Sequence, residues 1–187
     1  MQTQAAIRTD ATSTPETLDL SRTMTTDLCF LAGCDTLRVL NLANTPVDDL
    51  SPLLGLEALE VLNLHDTEVF DLTPLRRLRN LRVLCLGRTR VRSIAILAAL
   101  PSLEILDLSH TAVDDLRPLR KLPHLERLHL TGCDEILDLE PLADNRTLEH
   151  VDLRFVPGPL RGEERLSRRV RLVTSTLRPV RRESAVD

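Results

Sequence analysis

From residue 37 onward the apolar positions recur at one fixed interval and change their spacing inside it. Blocks of three apolar positions open at Leu37 (then Leu40 and Leu42), Leu59, Leu81, Leu103 and Leu125, each 22 residues after the last. One inserted residue then moves the final block to Leu148, Val151 and Leu153. Leu40 and Leu42 straddle the polar Asn41, the period-two alternation of a short strand with one buried face. Later in the unit the leucines stand three apart, as at Leu50, Leu53 and Leu56, which is the spacing of a tight helical turn. Pro52, Pro74, Pro118 and Pro141 recur at the head of that stretch, after Ser51 and Thr73 in two cases, and read as helix starts. Each unit therefore predicts a strand, a turn, a short helical stretch and a return. Counting back 22 from Leu37 reaches Pro15 with Leu18 and Leu20 in register, so a degenerate first unit begins there.

A single unit cannot bury its own leucines; stacked neighbours must share them. The expected fold class is an α/β repeat: a right-handed solenoid with a parallel β-sheet on its concave face and short helical or 3-10 turns on its convex side. Six or seven strands are expected, centred near residues 39–41, 61–63, 83–85, 105–107, 127–129 and 150–152. Composition agrees. Of 187 residues 40 are Leu, against three Phe and no Tyr or Trp, so one local environment is repeated many times. The expected organisation is a flexible segment over 1–14, about seven repeats over 15–166 with the first and last degenerate, and a C-terminal cap with an arginine-rich tail over 167–187.

The units resemble those of the leucine-rich-repeat family, specifically its 22-residue class of phosphatase-regulatory and internalin-like proteins. The resemblance is carried by the leucines above and by the Asp-Leu-x-Pro-Leu blocks at Asp49 to Leu53, Asp71 to Leu75 and Asp115 to Leu119. It implies the solenoid fold and a role in binding, without specifying a partner. The family usually places Asn at the ninth position of the unit, where it ties up loop backbone groups. Here Thr45, Thr67, Thr89 and Thr111 stand there, followed by Cys133. The unit at residues 93–97 lacks the proline block, and the last repeat is not followed by the capping motif of the spliceosomal and dynein light-chain relatives.

Charge is unevenly placed. Residues 1–153 carry 15 basic and 24 acidic side chains, whereas residues 154–187 carry nine Arg and four acids. Val170 to Val173 is a candidate closing strand over the last repeat's edge, with a basic stretch from Arg178 to Arg182 beyond it. Cys29, Cys34, Cys85 and Cys133 show no paired or metal-knuckle spacing, so free thiols in a reducing compartment are expected. The sequence shows neither a secretory signal nor a run long and apolar enough for a membrane helix. An intracellular, cytoplasmic protein with no membrane association follows as the expectation.

In such a solenoid the residues flanking each buried strand leucine point into the concave face. The third position of the unit reads Val39, Val61, Val83, Ile105, Arg127 and His150. The fifth reads Asn41, Asn63, Cys85, Asp107, His129 and Asp152. An aliphatic stripe with a polar surround has the make-up of an interface core, although β-branched residues also favour strands for their own sake. The candidate partner-binding residues are Val39, Asn41, Val61, Asn63, Val83, Cys85, Ile105, Asp107, Arg127 and His129.

Chemistry is sparse. Cys85, Asp107 and His129 share a column and are zinc-ligand types, but a structural site normally takes four ligands. Ser109, His129 and Asp107 lack the strained nucleophile turn and the oxyanion loop of a hydrolase. No catalytic residue, metal or cofactor is expected. The function expected is a protein-interaction module or scaffold subunit of a larger complex, with another protein as partner. The alternative is an RNA- or ribonucleoprotein-associated factor acting through the basic tail, where no aromatic residue is present for base stacking.

Overall fold

A computed structural model of the chain describes residues 15–120 and 122–175. Segment 1–14 and the Arg178 to Arg182 stretch of the tail lie outside the described residues. Eight three-residue strands form one parallel sheet in strict chain order. They are β1 (Thr17–Asp19), β2 (Val39–Asn41), β3 (Val61–Asn63), β4 (Val83–Cys85), β5 (Ile105–Asp107), β6 (Arg127–His129), β7 (His150–Asp152) and β8 (Arg171–Val173). The six anticipated strands fall where the alternation places them. Two more extend the sheet beyond the expected six or seven: the degenerate first unit does form β1, and the closing strand forms β8.

Every return runs through a tight turn. Short 3-10 helices cover Cys29–Leu31, Ser51–Leu53, Thr73–Arg77, Ala95–Ala99 and Arg117–Leu119. Only the last two returns widen into α-helical turns, α1 (Glu140–Ala143) and α2 (Glu163–Ser167). The start signal is not the Ser or Thr before proline. Asp49 Oδ1 accepts the Ser51 N–H at 2.8 Å, and Asp71, Asp115 and Asp138 accept from Thr73, Arg117 and Glu140 in the same way. Each carboxylate thus satisfies an amide that the first turn leaves without a partner. These bonds hold the Asp49, Asp71 and Asp115 carboxyls below the usual carboxylate range. The unit without proline keeps a weaker version, with the Ala95 amide 3.5 Å from Ser93 Oγ.

The core is a leucine column repeated along the array. In one unit Leu59, Leu62, Leu64, Val69, Leu72, Leu75 and Leu78 are all buried, and the same positions are buried in the units on either side. Truncating any of them removes contacts to two neighbours at once, which is why a single residue type suffices.

The ninth-position threonines act within their own turns. Thr45, Thr67, Thr89 and Thr111 each donate a hydroxyl to the carbonyl three residues earlier, at 2.6 to 2.8 Å. All four are buried, so each unit satisfies its own turn carbonyl. Just before them the chain bends through left-handed backbone at Asn44, Asp66, Arg88, His110 and Gly132. Side chains other than glycine cost roughly 1 kcal/mol or more there. The amides of these residues continue the inter-repeat ladder, as in Asn44 N–H to His65 C=O and Asp66 N–H to Gly87 C=O, both 2.8 Å. That ladder holds the conformation in place.

Candidate functional site

The flanking columns of the concave face stand in register from strand to strand. Val39, Val61, Val83 and Ile105 are successive partners across β2 to β5, and Arg127, His150 and Arg171 continue the same column through β6 to β8. The four aliphatic side chains are half-buried rather than open, because each is flanked on both sides at the strand spacing of about 4.8 Å. Arg127 and Arg171 are exposed. The column therefore presents a packed apolar surface over half its length and charge over the other half.

The fifth-position residues are less available than their sequence suggests. Asn41 Oδ1 accepts the Ala43 amide, Asn63 the His65 amide and Asp107 the Ser109 amide, at 2.8 to 3.1 Å. Asp19 and Asp152 do the same for Ser21 and Arg154. One oxygen of each side chain thus fixes the turn that leaves the strand. A recurrent Asn or Asp two residues before the turn was the sequence signal for this structural duty.

Cys85, Asp107 and His129 do lie in register on β4, β5 and β6. One Asp107 oxygen is engaged by the Ser109 amide. Among the described residues no group of three or more His, Cys, Asp or Glu is placed to hold a metal ion. Burial, together with the Asp107 charge, pushes the Cys85 thiol up to about 11. It is a neutral, half-buried surface group at physiological pH. The thiols of all four cysteines are unpaired.

Beyond the stripe, the second column alternates in charge. Arg38 bonds Glu60, and Arg82 makes a two-point contact with Glu104 at 2.8 and 2.9 Å. Glu126 and Glu149 follow it on the later units without an ion pair among the described residues. Near the end of the sheet Asp152 is buried, with Arg154 wrapped around its carboxylate at 2.6 to 3.0 Å and His129 Nδ1 4.0 Å away.

Two hollows are shallow and open, each about 270 Å³. One is lined by Asp48, Asp49, Phe70, Asp71 and Pro74 at the heads of the 3-10 turns, the other by Glu60, Arg82, Glu104 and His124 at the start of the strands. Neither has the enclosed apolar form of a small-molecule site. Sequence reasoning missed the aromatic residues: Phe30, Phe70 and Phe155 are all exposed. Alignment of the units contained the signal, since Phe70 occupies the place of Asp48, Arg92 and Asp114, a solvent-facing column.

A family model described as leucine-rich repeats (two copies) matches residues 79–120 and again 101–144. The chain is a leucine-rich-repeat protein. Its fold is similar to that of internalins from Listeria monocytogenes. The crystal structure of internalin C2 is 29% identical with a TM-score of 0.73, over 85% of this chain and 70% of that one. The crystal structure of InlF is 23% identical with a TM-score of 0.74, over 84% of this chain and 48% of that one. The functional domain of InlJ, described as including a cysteine ladder, is 17% identical with a TM-score of 0.61 over 76% of this chain. The leucine-rich-repeat chain thus spans about half the length of InlF and a third of the InlJ domain. No curated protein sequence matches it. Taken with the open, pocket-poor surface, the fold supports a protein-interaction module in general. Among the described residues no helix is long and apolar enough to cross a membrane.

Proposed function

We propose that this leucine-rich-repeat protein is a scaffold subunit of a larger intracellular complex and captures its protein partner on the concave sheet face. The observation that carries the reading is the continuous column Val39, Val61, Val83 and Ile105, packed side to side on four adjacent strands. A row of half-buried aliphatic groups already fixed in place loses little conformational entropy when covered, which favours binding. The surrounding Asn41, Asn63 and paired Arg82–Glu104 provide a polar rim of the kind interfaces use. Four unpaired thiols suit a reducing compartment.

The test is partner recovery by affinity capture. Val61→Glu with Val83→Glu places two unpaired carboxylates under the partner and should reduce capture at least ~10-fold, since burying an unpaired charge costs several kcal/mol. Because these positions are half-buried, a second pair, Val61→Thr with Val83→Thr, keeps the β-branch and strand preference and should weaken capture while preserving the fold by circular dichroism. Deleting residues 176–187 should leave capture intact. Wild-type recovery by either folded double variant would refute the concave-face reading.

A further inference from the structure

The concave column changes character at β6. Through β2 to β5 it is aliphatic; through β6 to β8 it reads Arg127, His150 and Arg171. Some arginines elsewhere on the molecule pair with an acid on the next or the previous unit: Arg38 with Glu60, Arg82 with Glu104, Arg90 with Glu68 and Arg120 with Asp144. Arg127 and Arg171 differ from those four in standing in the concave column itself. The in-register neighbours of Arg127 are Ile105 and His150, and that of Arg171 is His150, so their column contains no carboxylate. Neither makes an ion pair among the described residues. Two exposed guanidiniums are thus left about two strand spacings apart, on the order of 10 Å, at the end of an apolar stripe.

Resting on the concave-face reading above, we propose that this face takes an extended protein segment of defined polarity, with aliphatic side chains over β2 to β5 and one or two carboxylates over Arg127 and Arg171. A guanidinium binds a carboxylate through two parallel hydrogen bonds, a geometry specific for a planar acid. The neighbouring column decides against a polyanion. Glu126 and Glu149 immediately precede Arg127 and His150 in the chain, and neither makes an ion pair among the described residues. A continuous phosphate backbone laid across β6 to β8 would meet those carboxylates; a single acidic side chain can reach a guanidinium between them. The face therefore selects discrete acids and not a field of negative charge.

The experiment is selection from a displayed random library of about twelve-residue peptides, long enough to span the roughly 30 Å ladder when extended. The expected consensus is an aliphatic run with Asp or Glu confined to one end. Synthetic copies of the enriched peptides should lose affinity ~10-fold or more on Arg127→Gln with Arg171→Gln. Replacing their acids by amides should cost the same on wild type and nothing further on that variant. Enriched peptides without acids, no enrichment, or equal binding to the Gln variant would overturn the proposal. So would a fluorescent twelve-nucleotide oligouridylate that binds in an arginine-dependent way while the peptides do not. Failure of the underlying reading has a separate signature: acidic peptides that still need the arginines but bind Val61→Glu with Val83→Glu as tightly as wild type.

Discussion

The units carrying β2 to β5 and those carrying β6 to β8 satisfy their polar groups by different means. In the first set each unit satisfies its own turn groups: a threonine hydroxyl meets the carbonyl three residues back, and an aspartate or serine meets the amide two residues on. In the second set buried turn and return carbonyls are also met by side chains from a distant part of the chain. Cys133 donates its thiol to the Leu108 carbonyl at 3.0 Å, and the Thr147 hydroxyl reaches the Leu125 carbonyl. The buried Asn145 donates to the Leu119 and Leu122 carbonyls and accepts from the Thr147 and Leu148 amides. Arg169 closes the end by bonding the Asn145 and Leu148 carbonyls, and Arg165 joins Glu140 to Asp144. An interior unit is held by leucine contacts on both sides, whereas a unit near the end has fewer neighbours to share them with. Polar cross-links there add to an apolar burial that continues through Leu153 and Val156.

The comparison breaks most sharply at a central leucine. Leu84 on β4 is fully buried between two units, while Leu172 on β8 is only partly buried. Leu84→Ala should cost about 2–5 kcal/mol and Leu172→Ala clearly less, on the scale of buried-leucine truncations. Urea midpoints of the two variants check this. Equal losses would mean that the terminal unit is packed as tightly as the centre and that its polar bonds are incidental.

Next in size is the polar hub. Asn145→Ala strands the Leu122 carbonyl and two amides and leaves the Leu119 carbonyl only the Leu122 amide at 3.4 Å, each unsatisfied group being worth about 1–3 kcal/mol and partly recoverable by water. A loss of about 2–3 kcal/mol is expected, with faster hydrogen exchange at the Thr147 and Leu148 amides. Asn63→Ala removes one turn bond at a half-exposed site and should cost about 1 kcal/mol. If the two losses match, the cross-unit network contributes no more than an ordinary turn.

The difference between the two regions also explains what could be read in advance. The period of 22 located six strands because the alternation at Leu40, Leu62, Leu84, Leu106, Leu128 and Val151 is local and is repeated. The concave columns followed at once, since register in a parallel array is simple addition. What stayed hidden was pairing. That Asp49 caps the turn, or that Asn41 and Asp107 hold their own loops, depends on side-chain directions that spacing alone does not give. The C-terminal network was hidden for a different reason: Asn145, Arg169 and Leu119 are far apart in the chain, and the repeat spacing does not show that their polar groups meet. The basic half of the stripe was visible as residues, but its lack of acid partners became apparent only when the strands were registered through β8.

The smallest and most specific difference lies at Asp152. Its carboxyl is subject to burial, which raises its pKa, but the Arg154 guanidinium, the Arg154 amide and the arginine's charge together outweigh that and leave it below the usual range. Asp152→Asn retains an oxygen for the Arg154 amide, the duty that Asn41 and Asn63 perform in the regular units, and removes only the charge. A depressed carboxyl stabilises the folded state at pH above its unfolded value of about 3.9, and that contribution is lost as pH falls through the folded value. The Arg154 side chain is half exposed, so solvent screening limits the gain to about 0.5–1 kcal/mol. Wild type should therefore exceed Asp152→Asn in urea midpoint near neutrality, and the two should converge toward about pH 2. Asp107→Asn is the matching control. It has the same turn bond but no arginine pair among the described residues, and its midpoint near neutrality should stay close to wild type. An Asp152 advantage that persists in strong acid would show that shape, and not charge, distinguishes this end of the array.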